Sequence, residues 1–473
     1  MRRFFVISIF LSAVLTFSTL SARSEEEKLL PAPDIIPPAT EEMQHPAFWI
    51  SRIPDADRVI MAPEEIRAFN EKNRRRSLER TDINGDSVSL KRLAERPYRG
   101  LQYYREDPLT LESVPGDSLR DGIESNTSYI EGRVLYDRRW IPFTDAMKRE
   151  ISVSSSPETI PETVKPAYGV ICRHTLNRRV PSHLAAYSSQ YNWLDMFQTG
   201  SYETGRPVAV LHSSGNGDWS YVRSEFSYRW IPSECIALGK PDAARQYSEP
   251  EDFVVALDHR VPVYGDRDFN AWMTDIYQGA RLPLVSTGGS AYEVLVPRRR
   301  TDGSLEAARG WIRPDAAVSV GYQAFTPANV IETMFRILGR PYGWGDSCHE
   351  RDCCGIIRTT LDTFGIFTPR APTHQFYYTD HAVTFPKELP KEEKFRLFDE
   401  YGEPGITICG FSGHIMLYLG KVGDDYFVIH SNGYSYHDAE GNEIKVARTS
   451  VTDLLLEGGS DIEQFTNISV YKP

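Results

Sequence analysis

The chain has 473 residues, 41% of them apolar and 25% charged, a composition that excludes a mainly disordered or fibrous protein. At about 150 residues per domain, its length asks for roughly three or four domains rather than one large core. Acidic residues outnumber basic ones by 65 to 53, a net charge of −12, and a field of that sign repels phosphate and argues against general nucleic-acid or anionic-membrane binding.

Arg2 and Arg3 precede a short apolar run over residues 4–20, interrupted by Ser8, Ser12, Thr16, Ser18 and Thr19 and followed by Ala22 and Ser24. A positive start, a short apolar stretch and small residues at a cleavage position predict a secretory signal peptide over residues 1–24. No other stretch approaches the roughly 20 apolar residues of a membrane span. The expectation is an exported protein of the periplasm or cell envelope, or secreted, with no integral span in its mature form and acting as a monomer.

Residues 25–45 are rich in Pro and Glu and suit an extended leader. They open a mostly helical N-terminal module over residues 25–165. Within it Pro63-Glu64-Glu65 starts a helix, since Pro fits the first helical position and acids suit the positive end. Ile66, Phe69 and Asn73 follow at helical spacing. The Ser-, Thr- and Pro-rich residues 154–166 predict a linker.

Two similar segments come next. Arg179-Val180-Pro181 precedes Trp230-Ile231 by 51 residues, and Arg260-Val261-Pro262 precedes Trp311-Ile312 by the same 51. Each holds short β-rich runs separated by Gly-containing turns, the pattern of a small β-barrel. The Trp-Ile endings resemble those of bacterial SH3-like modules, which implies two such barrels in tandem, over residues 166–245 and 246–323. Cys172 and Cys235 sit near the two ends of the first barrel, and an exported compartment would permit a disulfide there.

From residue 324 to 473 the pattern changes to helices followed by strands, an α+β domain. Thr326 and Pro327 supply an N-cap and first-turn Pro, and Val330, Ile331, Met334, Phe335, Ile337 and Leu338 form an apolar face. A second helix starts near Cys353 with Asp352 at its N-cap and Gly365 as a stop. A thiolate there is favoured by unpaired backbone N–H groups and the helix dipole, which lowers a thiol pKa and makes it nucleophilic. The strand at Gly413-His414-Ile415 and its partner ending at His430 form a hairpin. Pairing centred near Val422, with a turn over residues 420–425, brings His414 opposite or next to His430 on one face, where directly opposed Cβ atoms lie about 5 Å apart. His414 can then take the thiol proton while His430 orients its far ring nitrogen.

Tyr342-Gly343-Trp344-Gly345, Asp352-Cys353-Cys354-Gly355, Gly413-His414-Ile415 and His430 together resemble the signature of the NlpC-type cell-wall cysteine peptidases. The wider order of domains is similar to a subgroup of γ-D-glutamyl-L-diamino acid endopeptidases. The resemblance implies a papain-like C-terminal domain, no cofactor or metal, and hydrolysis of peptidoglycan stem peptides through a Cys thioester. It implies Cys353 as nucleophile, His414 as general base, His430 as third polar residue and Tyr342 beside the oxyanion. Asp352, Cys354 and Trp344 align with positions that contact substrate. It also implies a carboxylate and an aromatic from the first barrel to hold an L-alanine ammonium. Asp195 and Tyr228 are the candidates, with Glu203 an alternative to Asp195.

Two departures stand out. The family Ser after the nucleophile is Cys354 here, a weaker hydrogen-bond partner, and raises the question of which thiol attacks; the D-C-x-G register selects Cys353. Ala371-Pro372 replaces a family Asp-Ser, which leaves strict recognition of an N-terminal L-alanine open. Gln375 follows as family members often have it. A zinc set of Cys348, His349, Cys353 and Cys354 departs from the paired C-x₂₋₄-C spacing of structural zinc; Cys348 suits the cleft lining or a neighbouring thiol. The rival function is a non-catalytic wall-binding protein that uses its barrels alone.

Overall fold

Apolar residues ahead of the barrels are sorted between two different cores. In the computed structural model, which describes residues 30–31, 33–74, 79–84, 87–89, 107–189, 192–438, 441–456 and 460–473, the stretch 25–165 is not one module. The helix opened by Pro63 forms as expected, as α1 (Pro63–Arg74). Its Ile66 and Phe69, with Met43, Trp49 and Met61, join the core of the C-terminal domain. Helices α2 (Gly116–Glu131) and α3 (Asp145–Ser154) instead cover the first barrel. Leu119 and Ile123 pack against Tyr221 and Trp230, and Ile130 and Ile151 against Val180 and Phe197. The predicted linker is likewise tied down, because Ile160 and Val164 are buried in that core and Arg120 donates to the Ile160 carbonyl at 2.9 Å. Its Ser, Thr and Pro content masked two apolar anchors. The predicted signal peptide lies outside the described residues.

The first barrel is built from β1 (Ala167–Ile171), β2 (Thr175–Arg178), β3 (Gln198–Tyr202), β4 (Pro207–Ser213), β5 (Trp219–Arg223), β6 (Tyr228–Pro232) and β7 (Ile236–Leu238). They pair in the order β7-β1-β4-β5-β6-β2-β3. The second sheet holds β8 (Phe253–Ala256), β9 (Arg260–Tyr264), β10 (Trp272–Tyr277), β11 (Arg281–Gly288), β12 (Ala291–Arg299), β13 (Leu305–Ile312) and β14 (Val318–Val320). Its order, β14-β8-β11-β12-β13-β9-β10, repeats the first strand for strand. Inward Ile171, Val208, Val222 and Ile231 fill the first barrel; Val254, Val263, Leu282 and Val294 fill the second.

All six cysteines are free thiols. The barrel ends do meet, with Cys172 N donating to Cys235 O at 2.9 Å, but the permitted disulfide is not formed. The sulfurs turn to other partners: Cys172 Sγ to the Glu234 carbonyl at 3.6 Å, and Cys235 Sγ to Arg173 Nε at 3.4 Å.

In the C-terminal domain α4 (Pro327–Phe335) and α5 (Cys353–Asp362) precede a six-stranded sheet. Its strands are β15 (His381–Thr384), β16 (Thr407–Phe411), β17 (His414–Val422), β18 (Asp425–Asn432), β19 (Arg448–Asp453) and β20 (Asn467–Val470), in the order β15-β20-β16-β17-β18-β19. The two-residue period of a strand separates its faces. Ile415, Leu417 and Ile429 pack under α4 and α5, while Met416, Tyr418 and Val428 meet Leu397 and Phe398 on the other side.

The β17–β18 hairpin differs from its predicted register. Val422 pairs with Asp425, so Gly423 and Asp424 alone make the turn, and a bulge between Tyr418 and Gly420 shifts the ladder to Leu417 opposite Ile429. Continued toward the His414 end of β17, that register sets Met416 rather than His414 opposite His430. The two histidines share a face but stand on a slant.

Trp230 is fully buried where α2 meets the barrel. Trp230→Ala should therefore cost about 3–5 kcal/mol, read as a lowered denaturant midpoint with faster proteolysis across residues 107–240. An unchanged midpoint would show that this helical cover adds little.

Candidate active site

The start of α5 is organised by one carboxylate. Asp352 Oδ1 accepts from the N–H groups of Cys354 and Gly355 at 3.1 and 2.9 Å, an N-cap that satisfies two donors the helix leaves open. Asp352 Oδ2 accepts from Gly345 N at 2.9 Å and Arg370 Nη2 at 2.5 Å. The Tyr342-Gly343-Trp344-Gly345 loop, the helix start and the Arg370 loop are thus joined at one point. Gly355 has to be glycine, since a Cβ there would lie 2.1 Å from Asp346 Oδ1. Asp346 is itself buried in the left-handed region, at φ 62°. It accepts from Arg370 at 3.2 Å and from Ser201 of β3 at 3.0 Å.

Cys353 is the first residue of α5, and the nearby His414 imidazole acts on its thiol. The His414 and His430 rings lie 4.9 Å apart, with His414 Nε2 2.6 Å from His430 Nδ1. That contact engages Nε2 of the His414 ring and leaves Nδ1 open. The Cys354 sulfur lies 3.7 Å from that of Cys353. A hydrogen bond from the Cys354 thiol holds Cys353 well below the ordinary thiol range against the opposing effect of burial, with His414 and Arg370 adding to it. Burial and the neighbouring sulfur push Cys354 well above that range, so it stays a thiol and donates. Burial also drives His430 well below the usual imidazole range, with His414 acting in the same direction. The ring is therefore neutral.

Burial, then the nearby Asp352 and the two sulfurs, push the Tyr342 hydroxyl upward, which keeps it a proton donor beside the thiol. Trp193 from the first barrel meets Tyr342 edge to face at 5.4 Å, and Tyr434 stands edge-on to His414 at 5.3 Å. Gly433 lets these rings close together, since a Cβ there would come within 3.0 Å of Tyr342 and 3.2 Å of Trp193.

The structure therefore gathers Cys353, His414, His430, Tyr342, Asp352 and Cys354. Other candidates face elsewhere. Asp195 Oδ1 accepts from Ala186 N and Phe197 N, both at 3.0 Å, and Oδ2 from Arg178 at 2.7 Å; the carboxylate shapes its own loop. The Trp344 indole donates to the Asp195 carbonyl at 3.0 Å and ties the loop to the barrel. Tyr228 is buried in the barrel-side core with Tyr221. Glu203 is buried against Arg358, at 2.6 and 3.0 Å. Cys348 is exposed, and His349 stacks on Tyr277 of the second barrel at 4.9 Å, away from the Cys353 thiol. Gln375, whose role the sequence did not disclose, donates to the carbonyls of Cys354 at 3.1 Å and Pro369 at 2.9 Å, bracing the helix start against the Arg370 loop.

Sequence reasoning missed Arg370, Asp346, Trp193 and Tyr434. The Pro369-Arg370 pair was visible, but nothing local shows that its guanidinium returns to Asp352.

A family model for an SH3 domain of the SH3b1 type matches residues 189–232, within the first barrel. No curated protein matches the chain. Among solved structures, an NlpC/P60 endopeptidase from Photobacterium damselae subsp. piscicida is 16% identical, with a TM-score of 0.69 over 94% of this chain and 99% of that one. An NlpC/P60 family protein from Bacillus cereus ATCC 10987 is 20% identical, covers 59% of this chain and 83% of that one, and has a TM-score of 0.42. The chain thus has an SH3 domain and, over nearly its whole length, the fold of the Photobacterium NlpC/P60 endopeptidase.

The paired sulfurs give a direct test. A lowered pKa means thiolate is present at lower pH, so alkylation of Cys353 should rise through a midpoint below the ordinary value of about 8.5 and then level off. Cys354 and the buried Cys409, both pushed upward, should stay unmodified across that range. Mass mapping after iodoacetamide treatment from pH 5 to 9 reads this; first labelling at Cys354 would reverse the assignment.

Proposed function

We propose that this protein is an exported cysteine peptidase that hydrolyses peptidoglycan stem peptides at the γ-D-glutamyl–diamino acid amide. The observation that carries the proposal is the Cys353 thiol at the start of α5, held well below the ordinary thiol range with the His414 imidazole contributing, where His414 is itself bonded to His430. The class of bond follows from the motif resemblance and the likeness in fold.

The chemistry balances on these groups. The Cys353 proton passes to His414, and the sulfur attacks the amide carbonyl carbon. In this reading the Tyr342 hydroxyl donates to the developing oxyanion. His414 then protonates the leaving amine as the C–N bond breaks, which leaves a thioester at Cys353. A water molecule gives its proton to His414 and attacks the thioester carbonyl; the acid is released and the thiol restored. No step calls for a metal or cofactor.

Both barrels act as SH3-like modules in this proposal. The first walls the cleft through Trp193, and the second holds the peptidase loop through Tyr277 and His349. The protein works as a monomer in the periplasm or cell envelope, or after release. Because Asp195 and Glu203 are engaged within and beside the barrel and Ala371 replaces a family Asp, a free L-alanine amine is not strictly required.

Digestion of defined stem peptides, with the terminal amine free or acetylated and read by mass spectrometry, tests this. Cleavage between D-Glu and the diamino acid is expected for both, unaffected by a chelator. Cys353→Ala should lower turnover by on the order of a thousandfold or more, whereas Cys354→Ala retains measurable turnover. Full turnover by Cys353→Ala would overturn the mechanism. Wall binding without cleavage by the unmodified protein would favour a binding role.

A further inference from the structure

The histidine pair does not end at His430. Its Nε2 lies 2.9 Å from Thr452 Oγ1 on β19, and Thr452 Oγ1 lies 2.8 Å from Ser460 Oγ. Ser460 Oγ lies 2.6 Å from the carbonyl oxygen of Asp453. His430, Thr452 and Ser460 are all fully buried, so bulk water cannot supply or take a proton along this line. His430 pairs with Ser450, and Val428 with Thr452, so Thr452 stands diagonally from His430, as His430 does from His414. The chain of contacts crosses three neighbouring strands on one slant.

The hydrogen positions follow from counting donors. A carbonyl oxygen only accepts, so Ser460 spends its one hydrogen on Asp453. Thr452 must then donate to Ser460, and with its own hydrogen spent it can only accept from His430. The His430 proton is therefore on Nε2, which leaves Nδ1 bare. A bare Nδ1 at 2.6 Å accepts from His414 Nε2–H. The His414 proton is thereby fixed on Nε2, and its Nδ1 is left as an open acceptor.

Resting on the peptidase function proposed above, we infer that Thr452 and Ser460 are positioning residues that fix the tautomers of His430 and His414 and so keep His414 Nδ1 free to take the Cys353 proton. In the first step the S–H bond breaks and an Nδ1–H bond forms; no proton moves beyond His414. The new imidazolium keeps its Nε2–H on the neutral His430, whose far side is anchored to a carbonyl through the two hydroxyls. Without the Thr452 hydroxyl, His430 has no acceptor for Nε2–H and gains by carrying its proton on Nδ1. Two N–H groups would then oppose each other, and relief would move the His414 proton onto Nδ1, removing the base.

Thr452→Val keeps the side-chain shape and deletes the hydroxyl. With folding verified by thermal melting, it should lower kcat on a stem peptide about 10- to 100-fold, part of the roughly 10²–10⁴ a positioned base contributes, with KM little changed. The midpoint of the Cys353 alkylation profile should move up by at least one pH unit. Thr452→Ser should restore both, and Ser460→Ala should move both in the same direction by less. Should Thr452→Val fail to fold, Ser460→Ala alone decides. Unchanged kcat and alkylation profile in the folded variants would overturn the inference. If the unmodified protein cleaves no stem peptide, a slower Cys353 alkylation in Thr452→Val would still uphold the relay while the proposed substrate fell.

Discussion

Four N–H donors converge on the Asp352 carboxylate, two from the helix that carries Cys353, one from the Tyr342 loop and one from Arg370. A single cap of this kind is worth about 0.5–2 kcal/mol to a helix, a modest sum, but its geometric effect is larger. The sulfur of the next residue has one position relative to the sheet only because the helix start cannot slide. The nearby Gly355 shows how tight that setting is, since Asp346 occupies the space where any side chain would begin.

From that point a buried ionic cluster runs into the first barrel. Asp346 and Asp352 share Arg370, and Arg358 on α5 pairs with Glu203. Arg206 of the barrel returns to Asp362 at the far end of the same helix. Burying charges consumes most of what their attraction gives back, so such a cluster adds little net stability. Its consequence is position. Any docking of the barrel that separated these partners would leave charges uncompensated in the interior, each worth about 3–5 kcal/mol. The barrel is thus held where Trp193 reaches Tyr342, and the cleft wall depends on contacts made well away from the sulfur.

That dependence explains what the sequence could and could not disclose. Cys353 and its cap were legible because N-cap, first-turn thiol and stop glycine are neighbours in the chain. The histidine pair was legible from a two-residue period on both sides of a turn. Whether they stand opposed or on a slant was not, because a one-residue bulge near Leu419 shifts the ladder and no local rule marks it. Asp195 and Tyr228 went astray for another reason. Which barrel residues face the cleft is decided by how the barrel docks, and the charges that set the docking are more than a hundred residues apart. The helices before the barrel followed the same logic. Each apolar face was visible, but the core it would join depended on which surface lay nearest in the folded chain.

The replacement of a hydroxyl by Cys354 turns on the same geometry. Two sulfurs 3.7 Å apart in a buried site cannot both ionise cheaply, because like charges at that range repel in a low dielectric. One must keep its proton and donate it. Which one does so is decided by the surroundings rather than by the thiols themselves. Cys353 has the imidazole; the Cys354 N–H is spent on Asp352 and its carbonyl accepts from Gln375. The second thiol therefore does what a serine hydroxyl would do, supplying one hydrogen to the Cys353 sulfur once its proton has passed to His414. On the proposed mechanism the site keeps a single nucleophile even though the sequence offers two.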